Sequence, residues 1–305
     1  MGVAYSELRI GSRGSALGLA QANWVSQQLG TAWPGLRCRV VVITTLGDRI
    51  QDRPLPEFGG KGVFTQEIEA ALRAAEIDLA VHSLKDLPVE GEPGLTLGAI
   101  CQREDPREVL VSRHAVGLAA LPANPRIGTS SLRRASQILS VRPDARILTL
   151  RGNVDTRLRK AATADYDAIV LAAAGLARLG LLAHVTEWLP LDDLLPAPGQ
   201  GALAIQCRAQ DTVTLAYLAA LHHPETAAAV TAERAFLEGL GGGCHAPIAA
   251  LGEDSNGSIR LRGLVGSPDG RNLIRVAGEG SEPNSLGLNL AHAALAQGAQ
   301  KWLTS

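Results

Sequence analysis

Arg126-Ile-Gly-Thr-Ser-Ser-Leu-Arg-Arg134, followed by Arg146-Ile-Leu-Thr-Leu-Arg-Gly-Asn-Val-Asp-Thr-Arg-Leu-Arg-Lys160, reads twice as a short apolar strand running into a helix. In the first half Thr129, Ser130 and Ser131 stand where N-cap hydroxyls and free backbone N–H groups gather. Such a helix start attracts anions through its unpaired N–H groups and dipole. The stretch holds eight arginines and one lysine against Asp144 and Asp155, a formal charge of +7 in a chain whose total is −1, so the remainder sums to −8. Arginine pairs bidentately with planar oxyanions, which points to a ligand carrying several carboxylates or phosphates. A solvated basic face is the plain alternative, and the hydroxyls placed before the arginines favour a site.

The same alternation extends outward on both sides. Leu8–Gly11 reads as a strand, Ala16–Leu29 as an amphipathic helix, 39–44 as a β-branched strand, 63–75 as a helix and Ile77–His82 as a buried strand. Leu95–Ile100, Val109–Ser112, Asp167–Ala172 and 202–207 are further strands, with a helix around Leu176. Alternation of this kind predicts α/β architecture with parallel sheets and helices on both faces. The series restarts at Arg126 after Leu121-Pro-Ala-Asn-Pro125, which suggests two sheets, each with its ligand groups at strand exits. From about Leu221 the pattern changes to a long helix over 225–240, a glycine run, strands near Ile248, 259–265 and 273–276, and a final helix over 285–302. That is a smaller α+β domain. Residues 48–62 contain glycine and proline and lack periodicity, as a covering loop would. No internal repeat or low-complexity segment is visible.

Composition narrows the function. At 305 residues the chain has room for two or three domains. Hydrophobic residues at 46% and charged residues at 19% are ordinary for a soluble protein, and no run approaches the ~18 apolar residues of a membrane span. The start, Met1-Gly-Val-Ala-Tyr-Ser-Glu, shows no secretory signal. Cysteines at 38, 101, 207 and 244 form no C-x-x-C pair, which argues against zinc or a disulfide framework and for reduced thiols in the cytoplasm. Aromatic residues at 3% give no stacking platform for single-stranded nucleic acid, and near-neutral total charge speaks against a duplex binder.

Three more segments carry candidate chemistry. Arg13 and Ser15 follow the first strand in Gly11-Ser-Arg-Gly-Ser-Ala-Leu-Gly18, offering donors to an anion. His82-Ser-Leu-Lys-Asp86 follows a buried strand; Lys85 and Asp86 read either as a surface pair or as a carboxylate held charged to face a cation or N–H donors. Gly241-Gly-Gly-Cys244-His-Ala-Pro247 exposes a cysteine to close approach, although cysteine is commonly inert packing.

Taken together these segments resemble the porphobilinogen deaminase (hydroxymethylbilane synthase) family over nearly the whole chain. The resemblance rests on seven motifs in order: Gly11-Ser-Arg-Gly-Ser15, Gly59-Gly-Lys-Gly-Val-Phe64, Ala80-Val-His-Ser-Leu-Lys-Asp86, Gly128-Thr-Ser-Ser-Leu-Arg-Arg134, Leu150-Arg-Gly-Asn-Val154 with Arg157, Pro198-Gly-Gln-Gly-Ala202, and Glu233-Arg234 running to Gly242-Gly-Cys-His-Ala-Pro247. It implies a cytoplasmic, monomeric transferase of tetrapyrrole and heme biosynthesis. Its two lobes, of parallel or mixed sheet with flanking helices, would be periplasmic-binding-protein-like, residues 1–104 with about 200–219 and residues 105–199, followed by a smaller α+β C-terminal domain at 220–305. The implied reaction joins four porphobilinogen molecules head to tail with loss of ammonia, on one covalent dipyrromethane primer per chain, and then hydrolyses hydroxymethylbilane free.

Matched by position, Asp86 is the implied catalytic residue and Cys244 the implied attachment point. Ser83, Lys85, Thr129, Ser131, Arg133, Arg134 and Arg157 are the implied cofactor contacts. Arg13, Ser15, Ser130, Arg151, Arg178 and Gln200 are the implied substrate contacts, with Lys61 and Phe64 in the covering loop. No metal, nucleic acid or membrane is implied. Three positions depart from the family pattern: Glu57 stands where some members carry Lys, Gln206 where Glu is common, and Ala246 where a β-branched residue is usual after the cysteine. The runner-up is a non-enzymatic two-lobed anion-binding protein, which shares the architecture and lacks the covalent pyrroles.

Overall fold

The alternating strands close into two five-stranded sheets and one three-stranded sheet. The computed structural model describes residues 7–49, 65–242, 246–255 and 257–303. The chain divides into two compact units, one running to Arg103 and taking up Ala202–Ala227, the other built from Glu104–Gly201 and the chain from Ala228 onward.

The first unit begins with β1 (Glu7–Ser12), α1 (Ala16–Ala32), β2 (Arg37–Val42), the short α2 (Leu46–Arg49), α3 (Gln66–Arg73), β3 (Leu79–Ser83) and β4 (Leu95–Ile100). Ser15 starts α1 because its hydroxyl accepts the Gly18 N–H at 3.1 Å, satisfying a donor the first turn leaves open. Inward residues of β1 and β3 (Leu8, Ile10, Leu79) pack against Val25 and Leu29 of α1 in one core cluster. The second unit carries β5 (Glu108–Ser112), β6 (Arg126–Gly128), α4 (Leu132–Val141), β7 (Arg146–Leu148), α5 (Val154–Ala161), β8 (Ala168–Ala172), α6 (Ala173–Arg178) and β9 (Glu187–Trp188). The chain then supplies the first unit with β10 (Leu203–Arg208) and α7 (Thr212–Leu218).

Both five-stranded sheets share one plan. Their orders are β2-β1-β3-β10-β4 and β7-β6-β8-β5-β9. The second strand in each order, β1 or β6, runs parallel to both of its neighbours. The fourth strand, β10 or β5, runs antiparallel to both of its own. In each sheet this antiparallel strand is the first one made after the chain enters from the other unit. The sheets are therefore mixed, where the alternation alone predicts parallel ones: hydrophobic pattern marks a strand but not its direction.

The second unit ends with α8 (Pro224–Gly239), β11 (Ile248–Ser255), β12 (Ser258–Gly266), β13 (Leu273–Gly280) and α9 (Pro283–Ala296), the three strands forming an antiparallel meander. Phe236 of α8 is fully buried and lies over Gly263, where an added Cβ would stand 2.5 Å from its ring. Glu233, also fully buried, accepts the Gly199 N–H at 2.6 Å and the Gly252 N–H at 2.7 Å, so α8 is pinned to the 198–201 turn and to β11. The terminal helix stops sooner than its apolar pattern predicts. Gly298 takes φ +94°, a left-handed conformation that ends the α-helix and leaves a 3-10 turn at Ala299–Trp302.

Candidate functional site

In the first unit the parallel strands β1 and β3 pair as Ile10 with Leu79 and Gly11 with Ala80, so both exit on one edge of the sheet. Arg13 and Ser15 follow β1, while β3 ends at Ser83 and turns through one 3-10 turn, Leu84–Asp86. These exits line an open pocket with Gln21, Thr65 and His82. The Gln21 amide donates to the Ser83 hydroxyl at 2.9 Å, which fixes Ser83 at the pocket wall. Asp86 is exposed at the pocket and Lys85 is half-buried beside it. Thr65 Oγ1 is buried at the pocket with no hydrogen-bond partner, a donor awaiting an acceptor.

His82 forms part of the wall. Burial pulls its pKa down to about 4, opposed by a hydrogen bond to Gln206 and reinforced by the positive charge of Arg13. Gln206 in turn donates to Glu69 at 3.3 Å. Local motif reading singled out none of Gln21, Thr65, His82 and Glu69 for a role. His82 was the one within reach, because it sits inside the quoted motif at a strand exit.

In the second unit the exits of β6 and β7 are tied together by Ser130, whose hydroxyl donates to the Leu150 carbonyl at 2.9 Å and accepts the Leu150 N–H at 3.1 Å. Thr129 Oγ1 accepts the Ser131 N–H at 3.1 Å, and Ser131 caps α4 by accepting the Arg134 N–H at 3.4 Å. Arg151 follows directly, half-buried, and Arg157 Nε donates to the Gly152 carbonyl at 2.7 Å. Arg178 donates to the Gly201 carbonyl at 2.6 Å, and the fully buried Gln200 donates to the Pro106 carbonyl at 2.7 Å.

Arg133 and Arg134 are buried, not solvated. Each meets one oxygen of Glu108 at 2.7 Å, and each donates again to a backbone carbonyl, of Leu195 and Val170. Burial lowers the Arg133 pKa, Glu108 raises it, and the like charge of Arg134 lowers it further. One carboxylate serving two guanidiniums leaves this cluster with a net positive charge, and Arg134 Nε is buried without a partner. Glu108 lies outside the basic stretch, so a charge count over 126–160 misses it. Elsewhere in that stretch Arg126 pairs with Asp167 and Arg142 with Asp144. Lys61, Phe64, Glu57 and Cys244 lie outside the described residues. Among the described residues no group of three His, Cys, Asp or Glu side chains is placed to hold a metal, and no helix is long and apolar enough to cross a membrane.

Comparison with known proteins decides the family. “Porphobilinogen deaminase, dipyromethane cofactor binding domain” matches residues 8–216, and “Porphobilinogen deaminase, C-terminal domain” matches residues 227–296. The protein named porphobilinogen deaminase from Geobacter metallireducens is 49% identical over 99% of this chain and 95% of its own length. Those from Syntrophotalea carbinolica and Brevibacillus brevis are 51% and 50% identical, over 98% and 95% of this chain and 96% and 94% of their own. This chain belongs to the porphobilinogen deaminase family. Among solved structures the methionine binding protein MetQ aligns with a TM-score of 0.45 at 13% identity, over 73% of this chain and 92% of its own, a likeness too distant to argue from.

The donor set fits the dipyrromethane cofactor of porphobilinogen deaminases. Each pyrrole carries acetate and propionate groups, and both clusters offer guanidiniums, hydroxyls and helix-start N–H groups to carboxylates. Two of the six buried side-chain polar atoms without partners among the described residues, Thr65 Oγ1 and Arg134 Nε, lie in these same clusters. Of the three departures from the porphobilinogen deaminase pattern, Ala246 packs against the core under α8 and α9, and Gln206 joins His82 to Glu69.

Proposed function

We propose that this chain condenses four porphobilinogen molecules head to tail, releasing one ammonia at each step, on a dipyrromethane primer attached to Cys244. Hydrolysis then frees hydroxymethylbilane. The observation that carries the reading is the pocket where Arg13, Ser15 and Asp86 share one strand-exit edge. It sets donors for a carboxylate beside a carboxylate for a ring N–H, which are the two complements of a carboxylated pyrrole.

When bound, dipyrromethane would supply the free pyrrole carbon to which the first unit is joined, each later unit joining the ring before it. The residues of this chain do the rest. Arg13, Ser15, Ser130, Arg151, Arg178 and Gln200 hold the carboxylates and orient the incoming ring. Ser83, Lys85, Thr129, Ser131, Arg133, Arg134 and Arg157 hold the primer. Asp86 faces the ring nitrogen of the substrate and stabilises the positive charge that develops there as ammonia departs, an effect strongest for a preorganised group. Lys61 and Phe64 belong to the covering loop. The reading keeps three domains, residues 1–104 with about 200–219, 105–199 and 220–305, and a monomer acting in the cytoplasm on porphobilinogen alone. Its support there is the wide spacing of the four cysteines, with no C-x-x-C motif, and the family membership.

Intact mass of the denatured protein tests it. The wild type should carry a covalent excess of two porphobilinogen-derived pyrrole units, and Cys244→Ser should lack it. An unmodified, fully active wild-type chain would overturn the proposal, and reversible ligand binding without turnover would favour a non-enzymatic anion-binding protein.

A further inference from the structure

We propose that His82 is a hydrogen-bond acceptor for a neutral pyrrole N–H in the Arg13–Asp86 pocket, and that Glu69 and Gln206 are positioning residues that fix its tautomer. The pyrrole assignment rests on the function proposed above; the tautomer assignment does not.

Three elements build the device. Glu69 on α3 is buried, and its carboxyl oxygen stands as an acceptor behind the pocket wall. It receives the Gln206 amide N–H at 3.3 Å, which turns the amide so that its oxygen faces His82 Nε2 at 3.2 Å. An amide oxygen is an acceptor, so Nε2 must carry the proton and Nδ1 keeps the lone pair. Gln206 reaches both partners from β10, where the pairing with β4 shifts register between Ile205 and Gln206. Such bulges re-aim a side chain.

The surroundings keep the ring neutral. The charged groups facing it are Arg13 from the β1–α1 turn, Glu69 from α3 across the amide, and Asp86 from the turn after β3. Burial and the Arg13 guanidinium both oppose an imidazolium, so His82 accepts at Nδ1 throughout the neutral range. A cationic donor such as an ammonium would meet the charge of Arg13. A pyrrole instead brings a carboxylate for Arg13 and Ser15 on one edge and an uncharged N–H on another. Asp86 answers the ring on which charge develops; His82 answers a ring that stays neutral.

The test is two-bond 1H–15N correlation on the full chain with its covalent primer, labelled at its seven histidines. His82→Asn identifies the resonance. The expected result is one histidine in the Nε2–H form that does not titrate at neutral pH, and whose Nδ1 resonance moves when porphobilinogen is added. Gln206→Leu removes the amide oxygen that holds the proton on Nε2, so the proton shifts to Nδ1 and the acceptor is lost. KM for porphobilinogen should then rise about tenfold at pH 7, the worth of one hydrogen bond, with kcat little changed. An Nδ1–H pattern in the wild type overturns the tautomer assignment. An unmoved Nδ1 resonance while porphobilinogen is consumed overturns the acceptor role alone. Absence of both consumption and the covalent primer overturns the pyrrole assignment together with the proposed function.

Discussion

Asp86 closes a single 3-10 turn at the end of β3, which holds its exposed carboxylate at the pocket without burying it. Asp86→Asn keeps the size of the side chain but removes the charge and replaces an acceptor oxygen by a donor amide. Removing one preorganised electrostatic contact costs on the order of 10²–10³ in rate, and the loss of a full charge should reach at least that. Single-turnover ammonia release measures it directly: a near-normal rate would rule out the proposed role and leave Lys85 and Asp86 as a structural pair. Asp86→Glu keeps the charge a methylene away and should retain part of the activity. Residues such as Asp86, Arg13 and Ser15 were legible because their motifs are short and sit at strand exits. Glu108 was not, since its two arginine partners lie 25 and 26 residues away and meet it only once β5 is folded in beside β8. A local pattern shows which groups are charged; it does not show which charges are already answered.

The elements of the second unit are held at one end by Asp167, the residue just before β8. Its carboxylate accepts the Arg126 N–H at 2.8 Å and Arg126 Nε at 3.1 Å, at the start of β6, and Arg113 at 2.7 Å and His114 at 3.1 Å, just past the end of β5. Arg126, with His114 and Arg113 adding to it, holds the Asp167 carboxyl far below the usual carboxylate range. A depressed folded-state pKa adds stability that is fully present above the unfolded value of about 3.9 and is lost as pH falls toward the folded one. Asp167→Asn should therefore destabilise the second unit by on the order of 2 kcal/mol at neutral pH. The gap between variant and wild type should narrow below about pH 4. Urea unfolding at pH 7 and pH 3 checks both; a gap that is constant or widens in acid would sink the assignment. Strand and helix positions could be read from periodicity to within a few residues, yet pairing direction could not. Asp167 reads as the first residue of a strand and acts instead as the anchor of three.

The plan of the whole molecule repeats where its residues do not. Both five-stranded sheets begin with three parallel strands and admit one antiparallel strand from chain that has just left the other unit. The sequence betrayed the second series through the break at Leu121–Pro125, but no repeat, because a shared strand order asks only for apolar residues of the right period. The consequence is an asymmetry in what each sheet owns. All five strands of the second sheet lie within Glu104–Gly201, whereas the first sheet needs β10 from after that stretch. Without β10, β4 has no neighbour in its sheet, and the core loses the buried Leu203, Ile205 and Cys207. Burying a leucine or isoleucine stabilises by about 1.5–3 kcal/mol each, so two of them approach the whole stability of a typical domain. A chain truncated after Gly201 should therefore leave the amides of 95–100 open to hydrogen exchange while those of 108–112 and 168–172 stay the slower. A peptide covering 202–227, added back, should slow exchange at 95–100, since it supplies both β10 and α7. Mass-resolved exchange on the truncated chain decides the matter: full protection of β4 without β10 would mean that the first sheet is stable on its own and that the crossing of the chain is incidental to its folding.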